Sequence, residues 1–118
     1  MVSPEGKLKN KTDDYVHKVY AASKHFPKDE LYGVTSQLRR AALSVILNYV
    51  EGYARQRPAV CANFWLTAYG SLQESKYLLD FSHKERYCNE QEHTKLTSLA
   101  NEIGAMLWRS LQTIKQRI

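Results

Sequence analysis

Between Thr35 and Arg57 the chain reads TSQLRRAALSVILNYVEGYARQR, and no other stretch limits its possible folds as much. At the roughly 100° per residue of a helix, Val34, Leu38, Ala41, Ala42, Val45, Tyr49, Gly52 and Tyr53 gather on one face. That face has the spacing of a ridge that enters a core. Leu43, Leu47, Val50 and Ala54 form a second apolar ridge pointing almost the opposite way, where a helix on the surface of a monomer presents polar groups. Gln37, Ser44, Asn48 and Glu51, with Arg40 and Arg55, run between the two as one hydrophilic seam. A helix apolar on two sides needs two covers, and its own chain supplies only one. The stretch therefore predicts a central helix whose second ridge is met by another copy of the chain or by a partner, and another copy is the simpler answer because identical chains close into symmetric assemblies.

A chain of 118 residues can bury one core without disulfides or metals, and nothing in it marks a second domain. Its 25% of charged residues and 43% of apolar ones exclude a disordered polymer, and its longest apolar runs fall far short of a membrane span. The residues after Met1 carry no export signal, so the expected compartment is the cytoplasm. The formal charge of +5 permits phosphate binding without demanding it.

Residues 1–11, with Pro4, Gly6 and the lysines Lys7, Lys9 and Lys11, lack apolar periodicity and read as a mobile basic arm. Thr12 then has the form of a helix cap followed by Asp13 and Asp14, with Tyr15, Val16, Val19, Tyr20 and Ala22 or Ser23 as the core stripe. Pro27 fixes a turn, KDELYG supplies a short helical turn, and Thr35 is the expected cap of the central helix. Pro58 separates that helix from a third, from Ala59 to about Ser82, whose inward ridge is Cys61, Phe64, Ala68, Leu72, Ser75 and Leu79. Trp65, Leu66, Tyr69, Tyr77 and Phe81 fall outside that ridge. Asn89 and Glu92 have the form of a capping box opening a fourth helix with Leu96, Leu99, Ile103, Leu107 or Met106, Ser110 and Ile114 as its seam. Arg109, Lys115 and Arg117 suit the negative end of its dipole. With no strand alternation anywhere, residues 12–118 predict an all-α fold, an antiparallel up-down-up-down four-helix bundle.

The run FPKDELYGVTSQLRRAA, then Asn48, Glu51 and Gly52 in NYVEG, then Phe64 and the GSLQE of residues 70–74, resembles the bacterial four-helix bundle proteins described as rRNA intervening-sequence proteins. The resemblance extends from about Tyr15 to Leu79. It implies a bundle protomer that assembles into a ring-like homo-pentamer, and a related branch that serves as a basic partner of a reverse transcriptase in diversity-generating retroelements. The sequence departs from the family's usual NIAEG, having Tyr49 and Val50 between Asn48 and Glu51.

The candidate chemistry is binding rather than catalysis. Arg39 and Arg40, with Arg55 and Arg57 about four turns later, form two basic clusters suited to bidentate phosphate contacts. The alternative is intramolecular use: Arg40 with Ser44 or a neighbouring acid, and Arg55 with Glu51 one turn earlier. Asn48 and Glu51 serve either to tie helices together or to line a pocket, but one carboxylate without a nearby histidine is no acid-base pair. His17, His25, His83 and His93 show no zinc spacing, and Cys61 and Cys88 form no CxxC pair, so neither metal nor cofactor is expected. The expected function is a non-enzymatic oligomeric module whose basic surface, Arg39, Arg40, Arg55, Arg57, Lys7, Lys9 and Lys11, associates with RNA or a nucleic-acid-processing enzyme. The alternative is a scaffolding homo-oligomer that binds another protein and no nucleic acid.

Overall fold

A computed structural model describes residues 3–118, which form four α-helices and no strand. They are α1 (Pro4–Ser23), α2 (Val34–Tyr53), α3 (Pro58–Lys84) and α4 (Glu90–Lys115), with one 3₁₀ turn at Lys28–Glu30. Each helix packs on two others, α1 and α3 both lying against α2 and α4. No helix among the described residues is long and apolar enough to cross a membrane.

The first helix corrects the expected basic arm. It begins at Pro4, eight residues before Thr12, because Ser3 caps it by accepting the Gly6 N–H at 3.0 Å and proline suits a first helical position. Leu8 then extends the buried stripe of Thr12, Tyr15, Val16 and Val19 by one turn. Thr12 is not a cap but a mid-helix residue whose hydroxyl donates to Leu8 O at 2.7 Å. Of the proposed arm, Met1 and Val2 lie outside the described residues.

Thr35 does not cap α2 either. The cap position is Gly33, Thr35 is buried, and the carboxylate of Glu30 takes the Val34 N–H at 3.4 Å while accepting the Tyr87 hydroxyl at 2.8 Å. That bond to Glu30, together with burial, pushes the Tyr87 hydroxyl's pKa up. The turn between α1 and α2 is thus held against the link that precedes α4, with Phe26 packed on Tyr87 at 5.8 Å.

The inner face of α2 is buried at Leu38, Ala41, Ala42, Val45, Tyr49 and Gly52. Tyr53, expected on it, is 63% exposed at the last residue of α2. On α3 the expected Phe64 is only half-buried, and its neighbour Trp65 takes the inward position at 5% exposure. Gly52 is the cause. A Cβ at Gly52 would lie 2.5 Å from Trp65 Cδ1, so only glycine leaves the indole its space. Trp65 stacks on Tyr49 at 5.2 Å, and its Nε1–H donates to Tyr49 O at 3.0 Å. At the centre Tyr15 reaches across to Ser75 with a 2.8 Å hydrogen bond, and burial pushes the Tyr15 hydroxyl up to about 12.

The link to α4 stops α3 through Arg86, whose φ of 66° is left-handed, while the Tyr87 N–H bonds Ser82 O at 2.8 Å. This is the Schellman arrangement with arginine where glycine is usual. The Asn89–Glu92 capping box forms in both directions.

Candidate functional site

Three surfaces carry the residues singled out from the sequence. The first is the outer ridge of α2. Leu43, Leu47 and Val50 stand exposed, Leu47 at 55%, and Ala54 follows as the exposed capping residue of the helix. A second apolar area lies on different helices, with Leu66 and Tyr77 exposed on α3 and Trp108 exposed on α4 beside Tyr69 at 5.4 Å.

The polar seam divides in two. Ser44 and Ser71 share a 2.8 Å hydrogen bond that joins α2 to α3, and Asn48 Nδ2 donates to Ser44 O and Ser44 Oγ, both at 2.9 Å. Ser44 and Ser71 thus bridge the two helices, and the bonds of Asn48 stay within α2. Gln37 and Glu51 are exposed, Gln37 beside Arg40 and Glu74 in a shallow groove and Glu51 paired with Arg55 at 2.7 Å.

The basic residues do not form one cluster. Arg39 and Arg40 sit near the start of α2 and Arg55 and Arg57 just beyond its end, about 25 Å apart at roughly 1.5 Å per residue. Arg39 is drawn into the protein, its Nε donating to Ser23 Oγ at 2.7 Å with the guanidinium 5.0 Å from the Tyr20 ring. Lys11 is engaged with Glu102 at 2.8 Å. Arg55 pairs with Glu51 and lies 5.1 Å over the Phe64 ring. Lys7, Lys9, Arg40 and Arg57 have no carboxylate within 4.0 Å among the described residues, which leaves their charges free for an outside partner.

What the structure adds is Arg117. The start of α1 reaches the end of α2, where Tyr49 donates to Glu5 O at 3.3 Å, and the end of α4, where Ser110 donates to Glu5 Oε1 at 3.3 Å. Lys7, Lys9, Arg55, Arg57 and Arg117 therefore belong to one end of the molecule. A cleft of about 510 Å³ opens there between the end of α2, the first turns of α1 and α3 and the last turns of α4. Cys61, Trp65 and Ile114 line it with apolar surface, Glu5, Ser110 and Thr113 with oxygen, and Arg55 and Arg117 with positive charge. Burial pushes the Cys61 thiol up, with the Arg117 charge opposing it, so that thiol stays protonated rather than becoming a nucleophile. Parity of the helices was the available signal, since in an up-down chain the second and fourth helices finish at the same end.

His83 and His93 stack at 4.4 Å, with His93 bonded to Asp80 at 2.7 Å. No group of three or more metal-ligating side chains occurs among the described residues.

The fold has a counterpart among solved structures. A protein of unknown function from the S23 ribosomal protein family of Bacteroides thetaiotaomicron superposes with a TM-score of 0.86, covering 93% of this chain and 99% of that one at 17% identity. At that identity the likeness concerns the fold alone. No functionally curated protein matches the sequence. The model of the family described as 23S rRNA-intervening sequence protein matches residues 5–109, nearly the whole of the helical chain. This chain belongs to the 23S rRNA-intervening sequence protein family.

Proposed function

We infer that this chain is the protomer of a non-enzymatic homo-oligomer, an antiparallel up-down-up-down bundle assembling as a ring, whose basic end associates with RNA or with a nucleic-acid-processing enzyme. The antiparallel order is supported by contacts whose residue numbers run oppositely, Ser44 with Ser71 and Tyr49 with Trp65 on one pair of helices, Glu5 with Ser110 and Lys11 with Glu102 on another. The ring is supported by two unlike apolar areas, Leu43, Leu47 and Val50 on α2 against Leu66, Tyr77 and Trp108 on α3 and α4. Unlike patches favour a head-to-tail contact, which closes into a ring when the rotation permits. Five members is the count that the family resemblance implies.

The observation that carries the nucleic-acid reading is the gathering of Lys7, Lys9, Arg57 and Arg117 at one end without carboxylate partners among the described residues. A ring repeats that end in every subunit, so weak single contacts add through multivalency. Arg39 and Lys11, already engaged within the chain, favour the second reading, a scaffold that binds another protein.

Salt separates the two readings. Phosphate contacts release counterions, so log affinity falls with log salt by about 0.7 to 0.9 per contact. Binding of a structured RNA is to be followed by fluorescence anisotropy over a salt series. Replacing Lys7, Lys9, Arg55 and Arg57 with glutamine is expected to weaken binding and flatten the slope more than replacing Arg39 and Arg40. Absence of RNA binding at low salt, or a slope unmoved by both sets, would leave the scaffold reading.

A further inference from the structure

The cleft at the basic end has a chemistry more specific than its charge. We propose that it is a binding site for one nucleotide unit: a phosphate on a sugar that keeps at least one free hydroxyl, followed by a flat base. The inference deepens the nucleic-acid reading of this end and rests on it.

Three features from different parts of the chain meet in the cleft. Arg117, on the turn that follows α4, has no carboxylate within 4.0 Å among the described residues and supplies planar donors that fit phosphate oxygens, while Arg55, paired with Glu51 at 2.7 Å, adds a second guanidinium to the lining. Glu5, on α1, has Oε1 engaged by the Ser110 hydroxyl at 3.3 Å, and the oxygens of a carboxylate are acceptors. It repels a second anion and receives a donor such as a sugar hydroxyl. Tyr53, at the end of α2, is 63% exposed on the rim, its ring tilted against Tyr49 at 6.4 Å, and a base can stack on its exposed side. The volume of about 510 Å³ lies within the roughly 300 to 1,000 Å³ of small-molecule sites, the size of a single unit. A ligand anionic at one end, donor-bearing in the middle and flat at the other matches all three; inorganic phosphate matches one.

The nucleotide can come free or as the phosphorylated end of a strand, and calorimetry on the full chain distinguishes these sources. The probes are adenosine 5′-monophosphate, its 2′,3′-dideoxy analogue, inorganic phosphate, and a six-residue RNA with and without a 5′-phosphate. Saturable binding of the monophosphate or the phosphorylated RNA is expected, weaker by about tenfold in Arg117→Gln and by at least about fivefold in Tyr53→Ala, and unchanged in Lys28→Gln. The dideoxy analogue and phosphate are expected to bind at least about fivefold more weakly than the monophosphate. Tyr53 and Arg117 are exposed, so a melting temperature near that of the wild type accompanies both variants. Tighter binding of the phosphorylated RNA identifies a strand end, and tighter binding of the monophosphate a free nucleotide. No saturable binding of either probe, or affinity unaltered in both variants, overturns the proposal. If a long structured RNA still binds in that event, the cleft assignment falls while the basic-end reading stands.

Discussion

Replacing Gly52 with alanine tests how α2 and α3 fit together. In an open helix the change would stabilise by about 1 kcal/mol, since glycine is the poorer helix former. Here the new Cβ would sit 2.5 Å and 2.6 Å from Trp65 Cδ1 and Nε1 and 3.0 Å from Cys61 O. The last is backbone, so the indole and the first turns of α3 must both move, an overpacking that costs about 1 to 3 kcal/mol. Displacing the indole also stretches its 3.0 Å hydrogen bond to Tyr49 O, worth about 0.5 to 1.5 kcal/mol. The expected net loss is about 0.5 to 3.5 kcal/mol, or a melting temperature lower by roughly 4 °C per kcal/mol for a chain of this size. Gly104→Ala is the internal control. Its Cβ would meet only Leu72 Cδ2, at an ordinary 3.5 Å, so the helix-propensity gain of about 0.5 to 1 kcal/mol should survive. Urea titrations at one fixed protein concentration measure both variants, because association makes stability depend on concentration. If Gly52→Ala moves in the same direction as Gly104→Ala, the packing of Trp65 described here is wrong.

Arg86→Gly should stabilise the chain by about 0.5 to 1 kcal/mol in the same titration, because a left-handed φ of 66° strains any residue with a Cβ and suits glycine. High pH should unfold the protein through Tyr15. Its folded pKa of about 12 lies above the unfolded 10, so the protonated hydroxyl contributes full stability below pH 10 and loses it as the pH rises towards 12, about 2 to 3 kcal/mol in all. Tyr15→Phe should shrink that alkaline loss as followed by circular dichroism, while Tyr49, whose pKa burial also raises, keeps part of it.

The faces of α2 were legible in the sequence because helical spacing alone decides which residues share a side, and Leu43, Leu47 and Val50 are exposed as read. Three things were not legible for physical reasons. Pro4 and Gly6 look like breakers until Ser3 is seen to cap a helix that Leu8 anchors in the core. The choice between Phe64 and Trp65 as the inward residue depends on the missing side chain of Gly52, on another helix. Arg117 joins the basic end only because α1, α2 and α4 meet there, a contact between residues over a hundred positions apart such as Glu5 and Ser110.

The central claim is that α2 keeps its second ridge for another copy of the chain. Leu43, Leu47 and Val50 still expose 38%, 55% and 42% of their surface, so covering them recovers about half of the roughly 1.5 to 3 kcal/mol that full burial of each such side chain stabilises, a contribution set against the entropy lost on association. Leu47 is the most exposed of them, so Leu47→Glu puts a charge into the contact without touching the protomer's core. Size-exclusion chromatography with light scattering, at tens of micromolar, is the measurement. The wild type should run as a multiple of 13.7 kDa, with five the expected number, and Leu47→Glu as a single chain of unchanged helicity. A wild-type mass of one chain, or a Leu47→Glu assembly of undiminished mass, would contradict the claim.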